Sequence, residues 1–261
     1  MPISVSACVR TSIVVLALGL ALGGCQKTLT TGSISKQAAG EQAPSDGLKQ
    51  AAALQKKFKR DPANAEVALA FSKSLETLGR QEQAMMVLER ASEENGKDPR
   101  LFSAYGRAAL KAGNPNAAIV ALDKAVSAGD SSARTLSAQG AALDQLGRND
   151  EARERYRMAL AKDPNNSAIL ANLGLSYALS NKIADAESTL RRASADPAAS
   201  PKVRQNLALV LALQGKFAEA EDVAARDLPP DDVRTNMAYL RQMMKSPDPW
   251  QKLKSIDGAT G

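Results

Sequence analysis

Histidine is absent from the 261-residue chain. Its absence removes the usual general base, the commonest metal ligand and the ordinary Ser-His-Asp arrangement. Aromatic residues are 3% of the sequence, too few to build stacking platforms for nucleic acid. The basic residues behind the net charge of +6 are spread along the chain and not gathered into one stripe. Apart from Gly23-Gly24 the glycines stand singly, and no Gly-Lys-Ser or Gly-Lys-Thr run occurs, so a phosphate-cradling loop has no support. Adjacent acids such as Glu93 and Glu94, or Asp231 and Asp232, point different ways on a helix and read as solvated surface charge, not as a catalytic dyad. The expectation is a protein with no enzymatic activity, metal or cofactor. The modest basic bias suits anionic headgroups, cell-wall polymers or acidic protein segments equally well.

Long apolar runs are scarce as well. One occupies residues 11–22, behind a single charged side chain, Arg10; its length fits a signal-peptide core and is short for a membrane span. The segment ends Leu22-Gly23-Gly24-Cys25, which resembles the bacterial lipobox. That resemblance implies removal of residues 1–24 and lipid attachment (diacylglyceryl transfer and amine acylation) at Cys25. Gln26 in place of an aspartate then implies sorting to the outer membrane of a Gram-negative cell, with the protein facing the periplasm. Cys8 leaves with the signal, so the mature chain has no second cysteine for a disulfide. Several acyl chains hold a protein durably on a bilayer, because each buried CH₂ contributes about 0.8 kcal/mol. Residues 25–47 read as the acylated end plus a flexible tether of Gly, Ser, Thr, Gln and Ala. Roughly 20 residues of such chain span on the order of 25 Å.

Against these absences stands one strong regularity. From residue 65 to residue 234 the chain keeps a 34-residue period, in blocks starting at Ala65, Pro99, Ala133, Ser167 and Pro201. The twentieth column is Ala84, Ala118, Ala152, Ala186 and Ala220; the eighth is Ser72, Gly106, Gly140, Gly174 and Ala208; the fifteenth is Gly79, Gly113, Gly147, Asn181 and Gly215. Apolar residues recur at helical spacing on either side of the fifteenth column, so each block predicts two helices joined by a turn. Gly or Asn there suits a left-handed C-terminal cap. Asn149, Asp150 and Glu151 suit the start of the following helix. Small residues in columns eight and twenty let the two helix backbones approach closely.

This pattern resembles the tetratricopeptide repeat, most fully in residues 133–166 with Leu136, Gly140, Leu143, Gly147, Ala152, Tyr156, Ala159 and Pro164. The resemblance implies an all-α, right-handed superhelical solenoid of five repeats. Residues 48–64 read as a leading capping helix, because Pro62 falls in the column of Pro164, and residues 235–261 as a C-terminal capping helix and tail. The fifth block departs from the pattern with Arg204 and Asp227 at usually apolar columns, which predicts a weakened last repeat.

In that family the first helices of successive repeats line a concave groove that binds protein segments. The corresponding columns give Lys73, Arg100, Arg107, Lys111 and Arg134 in the first half, offset by Glu66, Glu76 and Asp144. The second half gives Asn172, Lys202 and Asn206 among Ala168, Ala171, Leu175, Ala178 and Leu209. A peptide with acidic residues at one end and apolar residues along its length would match. Leu175 and Leu209 fit equally as core between neighbouring first helices. Trp250 reads as a plug on the last helix.

The lipobox, tether, repeat array and Pro-Trp tail together resemble the TadD lipoproteins of the Flp (tight adherence) pilus assembly system. That resemblance implies a membrane-anchored assembly factor whose protein clients are secretin subunits or other pilus components. Another envelope scaffold, such as a type IV pilotin-like lipoprotein or a cell-wall hydrolase adaptor, would have the same architecture. An enzyme or its regulatory half would need a catalytic block for which the repeats leave no room.

Overall fold

The computed structural model describes the backbone of residues 43–245 and the side chains of residues 46–245. Among the described residues there are twelve α-helices and no strand. A leading helix, α1 (Ala43–Arg60), precedes five pairs: α2 (Ala65–Thr77) with α3 (Gln81–Asn95), α4 (Pro99–Lys111) with α5 (Pro115–Ser127), α6 (Ala133–Gln145) with α7 (Asn149–Lys162), α8 (Ser167–Leu179) with α9 (Ile183–Ser194), and α10 (Pro201–Leu213) with α11 (Phe217–Ala224). The last helix is α12 (Pro230–Met243). Each first helix begins at the block start given by the repeat, and each second helix begins sixteen residues later (81 − 65).

The turn between paired helices is built alike in all five repeats. Gly79, Gly113, Gly147 and Gly215 have φ between 73° and 77°, and Asn181 has φ 57°. The next amide reaches the carbonyl five residues back, as in Arg80 N–H to Leu75 O at 2.9 Å and Arg148 N–H to Leu143 O at 2.8 Å. This is the Schellman closure that satisfies the last helical carbonyls. It leaves one residue between the turn and the next helix, so the cap of α7 falls on Arg148, which makes no side-chain cap bond. Asn149, expected as a cap, donates its amide to Asp144 at 2.8 Å instead. Side-chain caps are commoner on the first helices, where Asn64, Asp98, Ser132 and Asn166 each accept a first-turn backbone N–H; among the second helices Asn114 does the same for α5.

Column twenty is fully buried in every repeat. Column eight shows directly why it must be small. A Cβ on Gly106 would lie 2.5 Å from Leu122 Cγ, on Gly140 2.6 Å from Tyr156 Cε1, and on Gly174 2.6 Å from Leu190 Cγ. The bulk opposite each glycine is itself buried, so close helix approach and a large partner side chain come as a pair.

The ends differ from the sequence reading in two places. α1 starts at Ala43, so residues 43–47, assigned to the tether, are helical; Asp46 in the first turn suits the helix N-terminus. At the other end α11 stops at Ala224, and Pro230 opens α12 within the fifth block, so the repeat boundary expected after residue 234 lies inside a helix. Phe58 of α1 packs on Phe71 at 5.9 Å between ring centres. α12 buries Val233, Met237, Leu240 and Met243 against the last pair. Both ends of the stack are thereby covered, which an open solenoid requires.

Arg204 and Asp227 do not leave the last repeat weakened by unpaired charge. They form a two-bond ion pair, Nε to Oδ2 at 2.7 Å and Nη2 to Oδ1 at 2.6 Å, and Arg204 also donates to Ala199 O at 2.9 Å. Each departure from the apolar pattern supplies the partner that the other needs.

Candidate protein-binding groove

Beyond the contacts between chain neighbours, first helices touch first helices: α2 with α4, α4 with α6, α6 with α8, α8 with α10, and α10 with α12. Crowding on that side makes it the inside of the curve, so the first helices form the concave wall and the second helices the outer one.

The wall's first half is rich in internal ion pairs. Arg100 of α4 pairs with Glu66 of α2 at 2.5 Å and with its own helix cap Asp98 at 2.8 Å. Glu76 of α2 is shared by Lys111 at 3.0 Å and Lys73 at 3.7 Å. Arg100 is therefore neutralised within the wall, while Lys73 and Lys111 share one carboxylate. Arg107 differs: it is half-buried and donates to Ser103 Oγ at 2.5 Å. Burial and the neighbouring Arg134 both push its guanidinium below the usual arginine range. Arg134 is exposed and has no ion-pair partner among the described residues.

The second half is apolar with isolated polar groups. Ala171 and Ala178 are buried and Leu209 packs on the core of the last two repeats, while Leu175 is half-buried and outside that cluster. Asn206 is 3% exposed and Asn172 half-buried, yet neither side chain makes a hydrogen bond among the described residues. Lys202 is exposed and unpaired among them. Neither amide is sealed from solvent: among the described residues the one buried side-chain polar atom without a partner is Gln139 Oε1.

Asp144, expected to add negative charge to the groove, belongs to the joint between the third and fourth repeats. It accepts from Asn149 at 2.8 Å, Ser176 at 2.7 Å and Tyr156 at 3.0 Å, and burial pushes its carboxyl up despite these bonds. Beside it Arg153, 2% exposed, pairs with Asp150 and donates to Ser180 Oγ at 2.7 Å and Ser176 O at 3.2 Å. This joint has no column signature, because its residues do not recur together in any other repeat.

The outer face carries an open cleft of about 910 Å³ lined by Phe102, Val120, Glu93, Lys97, Asp123 and Lys124. Its two acids and two bases cancel, so it selects no ligand charge. Among the described residues no group of three His, Cys, Asp or Glu side chains is placed to hold a metal, and no helix is long and apolar enough to cross a membrane. Cys25 and Trp250 lie outside the described residues.

Models of the tetratricopeptide repeat match residues 104–167, 143–204 and 203–226. No curated protein matches the sequence. Solved structures of similar shape include a thermophilic tetratricopeptide-repeat protein of Thermus thermophilus, 26% identical over 68% of this chain and 98% of that one, with a TM-score of 0.58. PilF of Pseudomonas aeruginosa is 20% identical over 76% of this chain and 99% of its own, with a TM-score of 0.56. YrrB, described as a tetratricopeptide-repeat protein with an unusual peptide-binding site, is 17% identical over 75% of this chain and 100% of its own, with a TM-score of 0.54. Five helix pairs in the repeat's own register, together with these matches, show a solenoid of tetratricopeptide repeats.

Proposed function

We propose that the protein is an outer-membrane-anchored scaffold that holds client protein segments along its concave wall while Cys25 tethers the pair to the bilayer. The observation that carries the binding reading is the wall itself. It offers unpaired donors on Arg134 and Lys202 and amides on Asn172 and Asn206 that make no hydrogen bond among the described residues, set in an apolar surface. Charge orients a client there, while buried apolar contact and backbone hydrogen bonds to the amides hold it. The likeness to YrrB and PilF at 17% and 20% identity speaks for the fold alone, so the client chemistry rests on this chain's own residues.

The clients we assign are secretin or other pilus-assembly components, from the combined arrangement of lipobox, tether, repeat array and Pro-Trp tail in the sequence. Photocrosslinkers placed at residues 107, 172 and 206 in the membrane-bound protein, followed by mass spectrometry of the products, test this. Secretin or pilus subunits crosslinked from those positions support the reading. Cell-wall hydrolases in their place keep the scaffold and discard the pilus; crosslinks confined to the outer face discard the groove. The anchor is tested separately: Cys25→Ser should leave a folded domain that no longer fractionates with membranes, and unchanged membrane association would overturn it.

A further inference from the structure

We infer that the outer face of α1 is a membrane-facing surface that rests on the anionic phospholipid headgroups of the leaflet holding the lipid anchor. The inference rests on the anchor reading above and adds to it the way the solenoid stands on the bilayer.

Lysines and arginines occur throughout the chain, but their surplus over acids does not. α1 holds Lys49, Lys56, Lys57, Lys59 and Arg60 against the single acid Asp46, four of the chain's six net positive charges. The closing helix α12 instead balances Asp231 and Asp232 with Arg234 and Arg241. All five cations of α1 are exposed. Lys49 reaches Asp46 only at 3.7 Å, and the other four have no ion-pair partner among the described residues.

Helical periodicity gathers these charges on one side. Ala51, Leu54 and Phe58 face the stack, where Phe58 meets Phe71 of α2. Lys49, Ala53, Lys56 and Arg60 repeat the same spacing two residues out of step, about 200° round the helix. That row is about 16 Å long and points away from α2, on which α1 packs. It carries no bulky apolar side chain: Ala52 and Ala53 lie among the cations, and Leu48 stands at the edge. With its larger apolar residues packed on the stack, α1 cannot sink into the acyl region as an interfacial amphipathic helix does. Its attraction to a leaflet is electrostatic, acting within a Debye length of about 8–10 Å.

Position favours the bilayer over other polyanions. Residues 26–42 separate Cys25 from α1 and reach at most about 60 Å however they are arranged. The anchor therefore keeps this helix, the first of the array, at high local concentration over the leaflet. Acyl chains hold the protein on the membrane, and the basic row sets its orientation. With α1 lying flat, the repeats rise from the surface and α12 stands at the far end.

The test uses the membrane-extracted lipidated protein, its acyl mass confirmed by mass spectrometry, in nanodiscs of phosphatidylcholine with or without phosphatidylglycerol. A fluorophore on Ala53→Cys, or on Ala238→Cys of α12, reports its distance from headgroup-labelled lipid by energy transfer. Both positions are exposed, and the mature chain has no other free thiol once Cys25 is acylated. We expect strong transfer from position 53 only with phosphatidylglycerol, and its loss on raising salt to about 1 M. Transfer from position 238 should stay low throughout. The combined Lys49→Gln, Lys56→Gln and Arg60→Gln variant changes only exposed side chains and should shift the lying-to-raised ratio by about tenfold or more. Equal transfer from position 53 in the two bilayers, or in the native and combined-variant proteins, would overturn the surface and leave the anchor standing. Absence of the acyl mass would overturn the anchor, and the surface with it. Binding of cell-wall fragments through these three cations, without approach to phosphatidylglycerol, would assign the row to a polymer and overturn the membrane reading.

Discussion

Arg204 Nη2 sits 2.6 Å from Asp227 Oδ1, joining α10 to the turn that follows α11 with a second bond alongside. The side chains are 17% and 9% exposed, so the pair is worth more as a pair than either charge alone. The arginine also holds Asp227's carboxyl below the usual range. Removing one partner strands a largely buried charge, and both Arg204→Met and Asp227→Leu should each destabilise the fold by on the order of 2–3 kcal/mol. The double variant, which restores the apolar character usual in these columns, should recover most of that loss. Urea denaturation of the four proteins decides it; equal and additive losses would mean that the pair carries no coupling.

The glycines of column eight set a second expectation. Alanine is a better helix former than glycine by about 1 kcal/mol, so Gly106→Ala would stabilise an open helix. Here the added carbon would lie 2.5 Å from Leu122 Cγ and 3.1 Å from the Ala118 carbonyl oxygen. One contact is a branch carbon and the other is backbone, and neither swings aside freely. Overpacking of this kind costs about 1–3 kcal/mol, and the net effect should be a loss of stability in thermal or urea melts. A rise in the melting temperature of Gly106→Ala would show that the helix pair separates more easily than its packing implies.

The parts of the structure legible in the sequence are the ones the repeat states several times over. Turn glycines, buried alanines and helix starts recur at one spacing, so chance agreement averages out and each column reports one packing requirement. The joint around Asp144 and Arg153 and the contacts of Ser103 and Asp130 with Thr135 are stated once each, by polar residues half of whose bonds reach partners 23 to 32 positions away. Nothing in the local pattern of Asp144 distinguishes an acid facing a groove from one enclosed by Asn149, Ser176 and Tyr156. The same limit explains Arg204 and Asp227: each reads as a defect because the sequence does not show that they meet. The cap expected at Asn149 is off by one residue because the Schellman closure fixes where α7 begins, whichever side chain is present.

Asn181 and Gly147 occupy the same turn position with different costs. Both are left-handed, with φ 57° and 75°, a conformation glycine adopts freely and other L-residues adopt at a cost of about 1–2 kcal/mol, less for asparagine. No atom outside the local chain lies within 4 Å of a Cβ placed on Gly147, so Gly147→Ala tests backbone strain alone and should destabilise by about 1 kcal/mol. Asn181→Gly should be neutral or gain a few tenths of a kcal/mol. Chemical denaturation of the two variants side by side checks the sign difference; a stabilising Gly147→Ala would contradict the cap geometry.

Glu187 ties the fourth repeat to the fifth and should give the fold a pH dependence of its own. It accepts from Lys216 at 2.8 Å, Gln214 at 2.7 Å and Arg191 at 2.7 Å, with Arg191 reaching on to Glu219 at 2.5 Å. Lys216 is the main cause of a carboxyl held down to about 2 from 4.5. Because the folded value lies below the unfolded one, the stabilisation is present in full above 4.5 and is lost as pH falls through that window toward 2. Its partners remain partly exposed, which screens the interaction to on the order of 1 kcal/mol. Glu187→Gln should therefore be less stable than the native chain near neutrality, and the difference should shrink as pH falls below 4.5. Urea melts across that range read the two curves directly. A gap that stays constant with pH would mean that Glu187 contributes through packing or neutral hydrogen bonds and not through its charge.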